Sequence, residues 1–123
     1  MMTSLFQVAI GGALGASARF LTGVAVLRLA GPGFPWATLI VNVLGSFAMG
    51  VLIVVLAQGS NRFAPLLITG LLGGFTTFSA FSLDTLSLFE RGQAGLASAY
   101  VVGSVGLSLL AIGAGLLMAR SLI

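Results

Sequence analysis

The chain has 123 residues, of which 59% are hydrophobic and 6% are charged, and its formal net charge is +3. A soluble domain carries about 25% charged residues. The few charges here cannot cover a water-facing surface, so a soluble globular protein is excluded. The sequence contains neither cysteine nor histidine, which removes thiolate chemistry and the commonest metal ligand, and we do not expect an enzyme. The five basic residues are scattered along the chain, so no nucleic-acid partner is expected.

Four stretches are long and apolar enough to cross a membrane, which requires about 20 residues. They are separated by three breaks rich in Gly, Pro or charge, at residues 31–35, 58–62 and 90–93. Because the residues before the first stretch carry no basic side chain, we expect it to be retained and not cleaved as a signal peptide. The sequence therefore predicts an all-α membrane protein with a single integral membrane domain over residues 1–123 and spans at 4–29, 34–57, 63–89 and 93–119.

The arginines near the span ends do not favour one orientation in the membrane. With four spans both termini lie on the same side, which carries Arg62 and Arg120, while the other side carries Arg28 and Arg91. Since an excess of positive charge in cytoplasmic loops normally sets orientation, this balance permits insertion both ways and an antiparallel, dual-topology homodimer. The alternative, that one helix fixes a unique orientation in spite of the balance, stays open.

Polar residues at membrane depth are costly and are candidate functional residues. Arg19 lies inside span one, with no acid in the first two spans to neutralise it. It either bonds helix-end carbonyls or a more distant acid, or it sets a positive potential in a wet vestibule that attracts anions. In span two, Thr38, Asn42 and Ser46 recur every four residues and share one face. Asn42 either bridges helices or donates its amide N–H groups to a passing ligand.

The third span contains the densest polar sequence, GLLGGFTTFSAFSLD at residues 70–84. Paired glycines followed by two β-branched threonines form a weak helix, so we expect a break near residues 73–79. Carbonyl groups freed there suit a small cation, while freed amides and the hydroxyls of Thr77 and Ser79 suit an anion. Phe78 and Phe81 are either packing residues or, through their electropositive ring edges, contacts for an anion in a site too dry for water.

Span four carries a second polar stripe, formed by Tyr100, Ser104 and Ser108 at four-residue intervals. A single mid-helix serine normally bonds its own backbone, but two stripes beside a broken helix indicate a lined path. From these residues the sequence predicts an anion pathway without specifying the anion.

Glycine pairs in spans one and three predict close packing between helices. Gly11-x-x-x-Gly15 and Gly70-x-x-x-Gly74 place small residues four apart on one helix face. In a bilayer such pairs let two helix backbones approach closely, so they indicate packing and not chemistry.

The polar motifs closely resemble those of the Fluc fluoride channel family, also called CrcB, over essentially the entire chain. The matching segments are GGxxGAxxR at residues 11–19, NxxGSF at 42–47 and GGxTTFSxFS at 73–82. The last motif is highly specific, while Tyr100, Ser104 and Ser108 match more loosely. Two residues depart from the pattern, since Ala80 stands where relatives often have Thr and Asp84 where they often have Glu; these changes concern rim contacts and not the pore.

The resemblance implies a passive fluoride channel in the bacterial plasma (inner) membrane, which exports fluoride and lowers its toxicity. It also implies an antiparallel homodimer with two fluoride pathways, and a structural Na⁺ at the dimer centre held by the backbone carbonyls of Gly73 and Thr76. By motif position, the fluoride path is lined by phenylalanine ring edges, a pore amide and serine hydroxyls, and an arginine lies at its vestibule. Those residues are Phe78, Phe81, Asn42, Ser104, Ser108 and Arg19, and the neighbouring polar residues Thr38, Thr77, Ser79 and Tyr100 complete the predicted pathway.

Two other functions are compatible with four short spans. A dual-topology exporter like the small multidrug resistance family needs an acidic residue in span one to exchange protons for cationic drugs, and span one here contains Arg19 and no acid. A membrane assembly subunit without transport would use the polar stripes only to bridge helices.

Overall fold

The computed structural model describes residues 1–59 and 61–123, so Ser60, which belongs to the second predicted break, lies outside the described residues. The described residues contain four long apolar helical stretches, each long enough to cross a membrane. They confirm the prediction of an all-α chain with four spans. Their bounds are Met2–Ala30, Trp36–Ala57, Pro65–Glu90 and Ala94–Leu122.

The first two helices are separated by the first glycine and proline break. Helix α1 spans Met2–Ala30 and is followed by Gly31, whose φ of 77° lies in the left-handed region that favours glycine. Helix α2 spans Trp36–Ala57, so it begins two residues after the expected position 34. Pro35 precedes its first turn, where a residue without a backbone N–H is tolerated.

The third span is bent, because its helix is interrupted. A π-helix at Pro65–Leu72 leads into α3, a single turn at Gly73–Phe75, and α4 spans Phe78–Glu90. Between α3 and α4, Thr76 has φ −87° and ψ 157°, and Thr77 has φ −153° and ψ 124°. The non-helical stretch is therefore shorter than the expected 73–79, since only the two threonines, whose branched side chains favour extended backbone, leave the helical conformation. We call these two residues the interruption.

The last helix, α5, spans Ala94–Leu122. It begins one residue after the expected position 93 and continues beyond the expected end at 119. Arg120 lies in its last turn, where a positive side chain interacts favourably with the helix dipole.

The two predicted glycine pairs face each other between α1 and the first half of the third span. A Cβ atom added to Gly11 would overlap the Leu66 carbonyl oxygen and lie 3.0 Å from the Cα atom of Gly70. A Cβ atom added to Gly74 would lie 2.7 Å from the Gly12 carbonyl oxygen. The two backbones are therefore in direct contact, as expected for small residues at four-residue spacing in a membrane.

A second backbone contact, which was not predicted from the sequence, joins α2 to α5. A Cβ atom added to Gly50 would overlap the Ile112 carbonyl oxygen, and one added to Gly115 would overlap the Phe47 carbonyl oxygen. These two glycines belong to no GxxxG pair, so their spacing gave no signal. We call these two backbone contacts the glycine seams. One holds α1 against the first half of the third span, and the other holds α2 against α5.

Candidate functional site

The interruption is held by a side chain from α2. The Oδ1 atom of Asn42 accepts a hydrogen bond of 2.8 Å from the backbone N–H of Thr77, and its Nδ2 atom donates one of 3.0 Å to the carbonyl oxygen of Thr77. The side-chain amide thus pairs with extended backbone much as a neighbouring β-strand would. Asn42 bridges helices, and because an amide has two N–H donors, one is left beyond the bond to Thr77 that can serve a ligand.

Thr77 also caps the N-terminus of α4. Its hydroxyl oxygen accepts a hydrogen bond of 3.2 Å from the backbone N–H of Ala80, and it lies 3.3 Å from the hydroxyl oxygen of Ser79. Threonine is a favoured residue at this position before a helix, so Thr77 itself is a signal in the sequence for a helix that begins at Phe78. The positive end of the α4 dipole therefore faces the interruption.

Two carbonyl groups at the interruption lose their helical donors. In a continuous helix the N–H of Thr77 would bond the carbonyl of Gly73, and the N–H of Ala80 would bond the carbonyl of Thr76. Here these N–H groups donate to Asn42 and to the Thr77 hydroxyl. The released carbonyls of Gly73 and Thr76 are oxygen ligands of the kind that alkali cations take in membrane proteins, so these residues fit the Na⁺ that the resemblance implies.

Arg19 reaches the turn that precedes the interruption. Its Nε atom donates a hydrogen bond of 3.0 Å to the carbonyl oxygen of Gly74, in the turn just before the two threonines. Of the contacts weighed for Arg19 from the sequence, the structure shows the one to a helix-end carbonyl. The half-buried side chain of Arg19 also lines a cavity of about 340 Å³ together with Thr38, Thr77 and Ala80.

A second cavity, of about 330 Å³, lies between α2, the interruption, α4 and α5. We call it the central cavity. Its wall combines an amide, five hydroxyls and two phenylalanine rings with apolar side chains, and none of its lining residues is charged. The predicted pathway residues among them are Asn42, Thr77, Phe78, Phe81, Ser104 and Ser108, and the predicted sodium ligand Thr76 is also present.

Ser104 is the buried hydroxyl of the central cavity. The residue is 5% exposed, and its Oγ atom has no hydrogen-bond partner among the described residues. A buried polar group without a partner is uncommon and requires an explanation, such as a bound ion or water. The free O–H of Ser104 is a suitable donor for an anion in this cavity.

The two phenylalanines differ in their surroundings. The ring centroids of Phe78 and Phe81 are 5.5 Å apart, with 45° between the ring planes. Phe81 is half-buried, whereas the side chain of Phe78 is 77% exposed in the single chain. Phe78 therefore presents its ring on an uncovered face of the molecule, beside the hydroxyls of the interruption.

Tyr100 and Ser79 are not among the residues that line either cavity. Tyr100 is completely buried, and its hydroxyl donates a hydrogen bond of 3.0 Å to Oδ2 of Asp84. Its ring centroid lies 5.2 Å from that of Phe81, so Tyr100 supports this phenylalanine from behind. Ser79 is exposed, and its hydroxyl lies next to that of Thr77. The four-residue spacing places Tyr100 and Ser104 on one face of α5. However, α4 covers Tyr100, so only Ser104 faces the central cavity.

Comparison with known proteins identifies the family. A family profile described as "CrcB-like protein, Camphor Resistance (CrcB)" matches residues 6–116. The chain is 68% identical over 120 residues to a protein of Cereibacter sphaeroides named fluoride-specific ion channel FluC, and the match covers 98% of this chain and 97% of that protein. A protein of the same name from Paracoccus denitrificans is 54% identical over 123 residues, and the match covers 99% of this chain and 98% of that protein. Another from Agrobacterium fabrum is 50% identical over 124 residues, and the match covers 98% of this chain and 99% of that protein. The chain therefore belongs to the CrcB-like family, which confirms the resemblance seen in its motifs.

Proposed function

We propose that this chain is a fluoride-selective ion channel of the bacterial plasma membrane, through which fluoride leaves the cytoplasm passively and its toxicity falls. The central cavity carries the proposal, because its polar wall consists of hydroxyl groups and one amide, with aromatic rings beside them and no charged side chain. The names of the three relatives, which call each a fluoride-specific ion channel, support it. The chain works as one integral membrane domain and catalyses no reaction.

The composition of the cavity wall suits a small, tightly hydrated anion. Such an ion crosses a membrane only where several donors replace its water. The unpartnered hydroxyl of Ser104, the second N–H of Asn42 and the hydroxyl of Ser108 supply donors, and the edges of Phe78 and Phe81 supply positive rims. These donors are uncharged, so they bind the ion weakly enough for it to leave again. A path narrow enough for these donors to replace the water of fluoride would exclude larger halides.

A second copy of the chain completes the proposed channel. Gly73, Phe78 and Ser79 are exposed in the single chain although they lie within a membrane span. Interrupted backbone at membrane depth is tolerated only inside protein or beside a water-filled cavity, so an antiparallel copy that covers this face satisfies the constraint. The even division of Arg28, Arg91, Arg62 and Arg120 between the two sides supports this orientation.

In that dimer, by this proposal, the carbonyls of Gly73 and Thr76 hold a sodium ion. A single chain offers few oxygen ligands for a cation that prefers several, and two copies double the number. Sodium bound there would supply the positive charge that draws the carbonyls of both copies together. The chain's own contribution is to keep these carbonyls free, which it does by diverting their helical donors to side-chain oxygens.

The proposal is tested by fluoride efflux from proteoliposomes that contain the purified protein, measured with a fluoride electrode while valinomycin carries compensating potassium. Fluoride should leave rapidly and chloride should not. Ser104→Ala should slow efflux, because it removes a free donor from the cavity. Ser121→Ala, which removes an exposed hydroxyl near the chain end, is the matched control and should behave as wild type. Absence of fluoride efflux from correctly folded protein would overturn the proposal and favour an assembly subunit, while proton-coupled uptake of cationic drugs would favour an exporter.

A further inference from the structure

The hydrogen bond between Arg19 and Gly74 joins two residues that are 55 positions apart. Its geometry depends on the glycine seam between α1 and the third span. A Cβ atom on Gly74 would lie 2.7 Å from the Gly12 carbonyl oxygen and 3.0 Å from the Ala16 backbone nitrogen. The same backbone contact that brings α1 to Gly74 therefore brings the guanidinium of Arg19 within reach of the interruption.

The interruption leaves a defined set of carbonyls without helical donors. In a continuous helix the carbonyls of residues 73 to 76 would bond the N–H groups of residues 77 to 80. The N–H of Thr77 instead donates to Asn42, and the N–H of Ala80 donates to the Thr77 hydroxyl. Among these carbonyls, that of Gly74 accepts a hydrogen bond from Arg19.

We propose that Arg19 is a positioning residue, whose hydrogen bond to the Gly74 carbonyl holds the interruption in the shape that directs the carbonyls of Gly73 and Thr76 toward a cation. This inference rests on the cation site of the proposed function. A hydrogen bond from a charged donor is stronger than a neutral one, and a cationic donor on Gly74 also excludes a second cation from that carbonyl. Arg19 thereby selects which oxygens of the interruption remain available.

The positioning role and a purely electrostatic role make opposite predictions for sodium binding. Arg19 and a bound sodium ion carry like charges, so removing the charge alone would strengthen sodium binding. Removing the hydrogen bond releases Gly74 and lets the neighbouring carbonyls turn away, which weakens sodium binding. The sign of the change therefore distinguishes the two roles without reference to fluoride transport.

The test compares Arg19→Met with Arg28→Lys in the purified protein. Met keeps an unbranched apolar stem and lacks both charge and donors. Arg28 is exposed in the last turn of the same helix, and Lys keeps its positive charge, so the charge balance between the two sides is preserved. The thermal unfolding temperature of each purified variant is measured against sodium concentration, with N-methylglucamine as the replacing cation. In Arg19→Met the sodium concentration for half-maximal stabilisation should rise about tenfold, the effect expected for one charge-assisted hydrogen bond. In Arg28→Lys it should stay at the wild-type value.

Hydrogen exchange of the segment at residues 72–80 provides a second measurement that does not require sodium binding. Exchange there should be faster in Arg19→Met than in wild type and unchanged in Arg28→Lys. The proposal would be overturned if Arg19→Met required less sodium than wild type for half-maximal stabilisation. It would also be overturned if the unfolding temperature of the wild-type protein did not depend on sodium, or if hydrogen exchange in this segment were the same in Arg19→Met and wild type. Efflux from wild-type proteoliposomes remains the separate test of fluoride conduction, so failure of one leaves the other standing.

Discussion

Asn42→Leu removes both hydrogen bonds between α2 and the interruption while keeping the number of side-chain heavy atoms and the branch at Cγ. In the structure the amide of Asn42 bonds both polar groups of Thr77, at 2.8 Å to its N–H and 3.0 Å to its carbonyl oxygen. A leucine at this position offers neither an acceptor nor a donor. The extended backbone of Thr77 would then have to leave the conformation in which α2 now holds it.

The expected cost follows from the two groups that lose their partners. A buried donor or acceptor left unsatisfied costs about 1–3 kcal/mol. Thr77 is only half-buried and lines a cavity that water can enter, so the loss of both of its partners should destabilise the folded protein by about 1–3 kcal/mol in total. This is a measurable share of the total stability of a typical domain, which is about 5–15 kcal/mol. Fluoride efflux should fall as well, because Asn42 and Thr77 line the central cavity.

Reversible unfolding of the purified protein in detergent measures the stability, and proteoliposome efflux measures the transport. Ser46→Ala is the control, since Ser46 lies one helical turn further along α2 and lines the same cavity; its stability should be close to wild type. Wild-type stability of Asn42→Leu would refute the conclusion that Asn42 braces the interruption. Asn42→Asp keeps an acceptor for Thr77 and adds negative charge, so its fluoride efflux should fall by repulsion, and undiminished efflux would place this side chain outside the path.

Phe78→Ile and Phe81→Ile keep apolar bulk but remove the ring edge, so fluoride efflux should fall while both variants remain folded. Phe81→Ile should also lower stability by about 1–3 kcal/mol in unfolding measurements, because its ring pairs with two others at about 0.5–1.5 kcal/mol each. Gly115→Ala should destabilise by about 1–3 kcal/mol through overpacking, whereas Gly95→Ala, in open space, should unfold like wild type. Tyr100→Phe loses a hydrogen bond to a carboxylate and should lower stability by about 1.5–3 kcal/mol in the same assay.

Each of these predictions has an outcome that contradicts it. Undiminished efflux in both phenylalanine variants would show that ring edges do not contact the ion. Equal free energies of unfolding for Gly115→Ala and Gly95→Ala would show that α2 and α5 move apart to accept a methyl group at little cost. A Tyr100→Phe variant as stable as wild type would show that the buried hydroxyl bond contributes nothing.

The number of spans and the interruption in the third span follow from local features of the sequence. Long apolar runs bounded by Gly, Pro and charge define the four helices, and Gly73, Gly74, Thr76 and Thr77 mark the weak stretch. The glycines nevertheless remain helical, and the threonines alone are extended. Propensity located the weak stretch, while the side-chain bonds to Thr77 and Ala80 decided which of its residues leave the helix.

The contacts that hold the site were beyond sequence reasoning, because they depend on the relative depth and rotation of helices. Arg19 and Gly74 are 55 positions apart, and Asn42 and Thr77 are 35 apart. No spacing rule within one helix relates such pairs. The sequence identified Arg19 and Asn42 as costly polar residues that require partners, and the packing of the helices supplied those partners.

The two glycine seams have a consequence for how the protein responds to its lipids. Where side chains separate two helices, a change in bilayer thickness is absorbed by new rotamers along their contact. At the seams of α1 with the third span, and of α2 with α5, backbone atoms meet directly and have no rotamers to change. When the membrane becomes thinner or thicker, the two helices of each pair therefore tilt together as a rigid unit. The geometry of the interruption then does not depend on the length of the surrounding acyl chains.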